Sequence, residues 1–243
     1  MRNKTPPPPA FNYIVGFYDL LGQRAALRGQ GMLKLPFASQ ADEDAFREAD
    51  GLMNFICLGD TSVNCPTSAV FSLFGLAGSL CHLGLASSTP IRGAIDLAWG
   101  VELHKGELYG AAVARAYELE SEIAQYPRIV VGEEVMKYIG YQRQNPGQDT
   151  ISLVNRTFAD LAFSLLAKDA DGIWIVDYLG SPFCNAVSGH TQHDLYQPAR
   201  DFVVAQLKIH SEANDQKLAP RYESLLKYFD SSPLARTAST AAS

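Results

Sequence analysis

At 243 residues, 47% of them hydrophobic, the chain is long enough to bury a full core and falls within the size of one large domain. A formal net charge of -6 argues against a broad basic face for a nucleic-acid polymer, so any nucleotide it meets is expected to be a small ligand. Cys57, Cys65, Cys81 and Cys184 form neither a CxxC pair nor a Cys/His zinc spacing and follow no signal peptide, which points to reduced thiols in a cytoplasmic protein.

Residues 1–10 carry the run Pro6 to Pro9 and are expected to be a disordered lead-in; residues 231–243 are rich in Ser, Ala and Thr and are expected to be a disordered tail. Residues 11–230 read as one domain. Its first predicted strand is 11–19, followed by a loop and a helix from about Leu20 and an acid-rich polar segment near 40–50. Predicted strands 52–58 and 61–65 turn at Gly59-Asp60 as a tight hairpin. Residues 69–86 contain no Asp, Glu, Lys or Arg and approach the length of a membrane span. His82, two serines and three glycines in that stretch favour a helix buried under a sheet.

A strand is predicted over 91–99, ending at Gly100. An amphipathic helix follows over 110–125, with Val113, Ala116, Leu119 and Ile123 on one face, and Pro127 stops it. Strands are predicted over 128–132 and 173–179, then helix over 194–229 with an interruption near Pro220. The sum is an α+β pattern, a mixed sheet covered by helices.

Two aspartates stand out. Asp19 in YIVGFYDLLG and Asp60 in FICLGDTSV each sit where an apolar strand runs into a glycine-marked turn. A carboxylate there needs a positive partner, and a divalent cation suits it. The alternative for both is turn and cap chemistry. Arg92 on its strand needs a carboxylate or phosphate partner, and Arg115 on the helix is three residues from Glu118, within ion-pair reach. Asp96 is expected to be a satisfied polar group facing a helix, and Arg128 to anchor the corner after Pro127. His190 and His193 form an isolated pair without zinc spacing.

In order along the chain, FYDLLG, LGDTS, IRGAI, ARAYELE and YPRIVV resemble the catalytic domain of class III nucleotidyl cyclases, over about residues 11–132. Within that superfamily the combination is most similar to the bacterial pyrimidine cyclases of Pycsar anti-phage defence. The resemblance implies a ferredoxin-like core and a homodimer with sites between two subunits. It implies a reaction that turns UTP, or alternatively CTP, into the 3′,5′-cyclic monophosphate and pyrophosphate with two Mg²⁺ or Mn²⁺ ions. A separate effector protein would read the cyclic nucleotide, with no membrane involved.

By the same resemblance Asp19 and Asp60 would hold both ions with the Leu20 carbonyl, and the Leu21, Gly22 and Gln23 amides at a helix start would take the phosphates. Arg92 would have a structural or phosphate role, and Arg115 would act from across the dimer. Purine-type relatives carry an Asn and an Arg where this chain has Ala114 and Glu118, and adenylate cyclases a Lys where it has Ile56. Those replacements weaken adenine readout, and Asn54, Ile56 and Glu107 become the candidate base-pocket residues. The competing implications are a purine cyclase with an unusual pocket and a non-catalytic nucleotide-binding scaffold.

Overall fold

The computed structural model describes residues 11–21, 67–104, 107–188 and 190–235, so the expected helix after Leu21, the acidic segment and the hairpin around Asp60 lie outside the described residues. Strand β1 (Phe11–Leu20), apolar except at Asn12 and Asp19, pairs antiparallel with β2 (Ile91–His104) over ten positions, from Phe11 opposite Gly100 to Leu20 opposite Ile91. The second strand was expected to stop at Gly100; it runs on to His104 because its far end finds a partner in β3 (Glu107–Tyr109), forming an arm beyond the edge of β1.

On the other side β2 pairs in parallel with β4 (Ile129–Val131). The sheet closes with β6 (Trp174–Val176) and β5 (Leu166–Lys168), both antiparallel, in the order β1-β2-β4-β6-β5. The α+β class with a mixed sheet is therefore as expected.

Helix α1 (Thr67–Ala86) is the core helix anticipated from its lack of charge. Val70, Phe74, Ala77, Cys81 and Leu85 are fully buried, and it packs on β2 and on α4 (Thr150–Ser164) and α6 (His190–Glu212). Gly78 lets Phe183 pack directly on the helix, since a Cβ there would lie 2.5 Å from the Phe183 ring. Among the described residues α1 alone is long and apolar enough to cross a membrane, and just over half of its most apolar window is buried in the fold.

The main core lies between one sheet face and α1, α3 (Glu133–Arg143), α4, α6 and α7 (Ala219–Ser231). Ile95, at the centre of that face, is fully buried; Ile95→Val should lower unfolding stability by about 1 kcal/mol, read by urea titration.

Residues 133–168, where the sequence pattern suggested no element, hold α3, α4 and β5. Asp149 opens α4: its Oδ1 accepts from the Ser152 amide at 3.0 Å and its Oδ2 from the Ser152 hydroxyl at 2.6 Å. The C-terminal helical region breaks over 213–218, ahead of Pro220. That proline sits in the first turn of α7, where its missing N–H costs nothing, so it starts a helix rather than interrupting one. Packing continues past the expected start of the tail: Ser232 donates to the Leu179 carbonyl at 3.0 Å, and Leu234 is buried. A short helix α5 (Ser181–Phe183) leads through the π turn 184–188 into α6.

Asp177, just after β6, is half-enclosed, accepts from the Tyr228 hydroxyl at 2.8 Å, and has its carboxyl raised above the ordinary range by burial. A carboxyl raised on folding binds more protons in the native than in the unfolded chain, so its contribution to stability falls as pH rises through that interval. Asp177→Asn should therefore raise the denaturation midpoint at neutral pH, and the gain should shrink as pH falls through the carboxylate range.

The second sheet face is covered by one helical segment, α2 (Ala111–Glu118) and its continuation, a π turn at Leu119–Ala124. The buried stripe is Ala112, Ala116, Glu120 and Ala124; of the expected face Val113, Ala116, Leu119 and Ile123, Ala116 is fully buried and the other three are only partly covered. A strict four-residue repeat drifts around an α-helix of 3.6 residues per turn; the wider π turn brings it back towards the sheet. At its end Gln125 adopts a left-handed conformation, and Arg221 of α7 donates to both its main-chain and side-chain oxygens at 3.0 Å.

Candidate functional site

Alternation along the strands decides which side chains meet α2. Tyr13, Val15 and Phe17 pack beneath it, so Asp19, two residues further, points to the same side. Opposite them on β2 stand Ala98, Asp96, Ala94 and Arg92. The sheet thus presents an apolar floor with two polar positions, one at Asp19 and Arg92 and one at Asp96.

At the first, the Arg92 Nη2 donates to Asp19 Oδ2 at 3.2 Å, and its Nε pairs with Glu120 Oε1. The three differ in exposure: the Asp19 side chain is 43% exposed, Arg92 21%, and Glu120 2%. Burial holds the Glu120 carboxyl above its ordinary range; Arg92 pulls it down and the nearby Asp19 pushes it up again. Arg92 has therefore found carboxylate partners, and two of them.

At the second, Arg115 Nε donates to Asp96 Oδ2 at 2.7 Å. Asp96 is fully buried, its Oδ1 has no hydrogen-bond partner among the described residues, and it rests against Gly132 so closely that a Cβ there would lie 2.2 Å away. The anticipated Arg115–Glu118 pair is replaced by this one, because a buried carboxylate is a stronger anchor than an exposed neighbour on the helix. This bond raises the Arg115 pKa further. Asp96 faces the helix as expected, with one oxygen satisfied. Four residues of strand, about 13 Å, separate it from Arg92, so Arg115 is anchored well away from Asp19 of its own subunit.

Of the other sequence-derived site residues, Gly22, Gln23, Asn54, Ile56 and Asp60 lie outside the described residues, as does the side chain of Glu107. Leu20 ends β1. The Leu21 amide, expected to meet phosphate, instead donates to the Pro90 carbonyl at 2.8 Å and extends the β1–β2 ladder by one bond. Arg128 is the corner anchor foreseen: nearly buried, it donates to the carbonyls of Ala124 and Ile123 and to Asp169 and Asp171. The side chains of His190 and His193 lie outside the described ones.

Among the described residues no group of three His, Cys, Asp or Glu side chains converges as a metal cluster. The charge around Asp19 nevertheless fits a cation. Two carboxylates share one guanidinium there, and the more exposed of them, Asp19, offers an oxygen towards solvent at the end of a strand.

Glu120 is the site residue that the sequence reading passed over. Its signal was the spacing Ala112-Ala116-Glu120-Ala124, in which an acid occupies a place otherwise given to buried alanines. Compared with known proteins, the chain matches no family model, no curated protein and no solved structure.

Proposed function

We propose that this chain is a nucleotidyl cyclase of the class III type, with a ferredoxin-like core, that converts UTP to 3′,5′-cyclic UMP and pyrophosphate. CTP is the alternative substrate, and the product would serve a separate effector protein in cytoplasmic anti-phage defence. The observation that carries the reading is the side-by-side placement of Asp19 and Arg92 at one end of an antiparallel strand pair, with the π turn that continues α2 bringing Glu120 against it. That brings the FYDLLG, IRGAI and ARAYELE segments to one sheet face.

In the reaction the ribose 3′ oxygen attacks the α-phosphorus, the bond from that phosphorus to the oxygen bridging to the β-phosphorus breaks, and the 3′-hydroxyl proton leaves to solvent. Two Mg²⁺ or Mn²⁺ ions would lower the pKa of that hydroxyl and neutralise the triphosphate. Asp19 and Asp60 would hold them, with the Leu20 carbonyl beside Asp19. Arg92, already fixed by Glu120, would face the phosphates with its remaining donors.

Arg115, held by Asp96 through Nε, keeps the outer part of its guanidinium in solvent, where a second subunit's nucleotide could meet it. The β2–β3 arm supports a homodimer: Trp99, Leu103 and Tyr109 are each more than half exposed there. The second reading, a non-catalytic nucleotide-binding scaffold, is favoured by the Ala114 and Glu118 replacements and by the tethering of Arg115.

The test is to incubate the purified protein with ATP, GTP, CTP and UTP and Mn²⁺, alongside Asp60→Ala, and identify products by mass spectrometry. Cyclic UMP from the wild type alone supports the cyclase. Nucleotide binding without any cyclic product would favour the scaffold.

A further inference from the structure

Arg92 is held by two carboxylates of unequal hold. Its contact with Asp19 is 3.2 Å, longer than the roughly 2.7–2.9 Å of a strong charge-assisted bond, and water reaches the Asp19 side chain. Its other partner, Glu120, forms an ion pair with Nε and is almost wholly withdrawn from solvent. The Asp19 contact is therefore the one that a competing cation can replace. A guanidinium left partly buried with no partner is expensive. With Glu120 in place, Arg92 remains paired when Asp19 is taken from it.

We propose that Glu120 is a positioning residue that frees Asp19 for a divalent cation, by retaining Arg92 through Nε while the cation takes Asp19 Oδ2. This rests on reading Asp19 as a cation ligand. The fold is built to keep Glu120 in that place: the π turn directs it at the sheet, and Arg221 fixes the end of that turn through Gln125. Without Glu120 the same guanidinium would have, among the described residues, only Asp19 to bind, and would act as a resident competitor for the site.

The experiment measures Mn²⁺ binding to the full chain without nucleotide, following free Mn²⁺ by electron paramagnetic resonance. The variants are Asp19→Asn, Glu120→Gln, Glu120→Asp and Arg92→Gln/Glu120→Gln. Asp19→Asn should lose the site. Glu120→Gln and Glu120→Asp should both weaken binding by about tenfold, since the shorter Asp keeps the charge but releases Nε. The double variant, which has neither the competitor nor a stranded buried charge, should bind as tightly as the wild type, and it remains informative if a single variant does not fold.

Glu120→Asp binding like the wild type would overturn the proposal, because charge alone would then suffice. A double variant as weak as Glu120→Gln would also overturn it. Asp19→Asn binding like the wild type would remove the cation reading of Asp19 and this proposal with it. Loss in Asp19→Asn with no change in either Glu120 variant would strike only the role of Glu120.

Discussion

Asp19→Asn should leave the fold intact and lower cyclic-nucleotide formation about a thousandfold, equivalent to about 4 kcal/mol of transition-state stabilisation. The two halves of that expectation have different origins. Asp19 is 43% exposed and its link to Arg92 is 3.2 Å, so an amide there costs little stability. Arg92 keeps Glu120, and the ladder from Phe11 to Leu20 is made by backbone. An amide, however, carries no charge to bind a divalent cation at the strand end. Product measured by mass spectrometry with a thermal melt on the same sample separates the two. Activity near wild type would mean that Asp19 serves only to pair Arg92.

The second large effect falls on stability and is asymmetric. Arg115→Ala leaves the fully buried Asp96 without its counter-charge, and should cost about 3 kcal/mol, the lower end for a broken buried pair because Arg115 itself is partly in water. Asp96→Ala returns a half-exposed guanidinium to solvent and should cost about 1 kcal/mol. Replacing both by alanine should recover part of the Arg115→Ala loss. Denaturant titration of the three variants checks the order. Equal costs for the two single changes would show that the buried carboxylate is not the costly partner.

Which parts of this arrangement were legible in the sequence follows from how local their causes are. A charge-free run announced α1, and apolar runs announced β1 and most of β2, because burial writes itself directly into composition. The reach of β2 to His104 depends on a three-residue partner strand, which has too few positions to show a period. Helices α3 and α4 carry mixed faces between polar loops, so their signal was diluted; the Asp149–Ser152 cap was the available cue for α4. Arg92 could be recognised as needing an acid, since an inward guanidinium demands one. Its choice of Glu120, twenty-eight positions away, depends on the π turn, whose departure from ordinary helical spacing no periodicity argument anticipates. The Asp96–Arg115 bond likewise depends on Gly132 leaving room for a carboxylate, a fact of packing between separate elements.

Gln125 is gripped at two oxygens by Arg221, so α7 reaches back to the same short turn that carries Glu120. Mechanically this makes α7 a lever whose fulcrum lies beside the candidate site. Trimming that removed Arg221 would release both oxygens of Gln125 and so loosen the turn that sets Glu120 against Arg92.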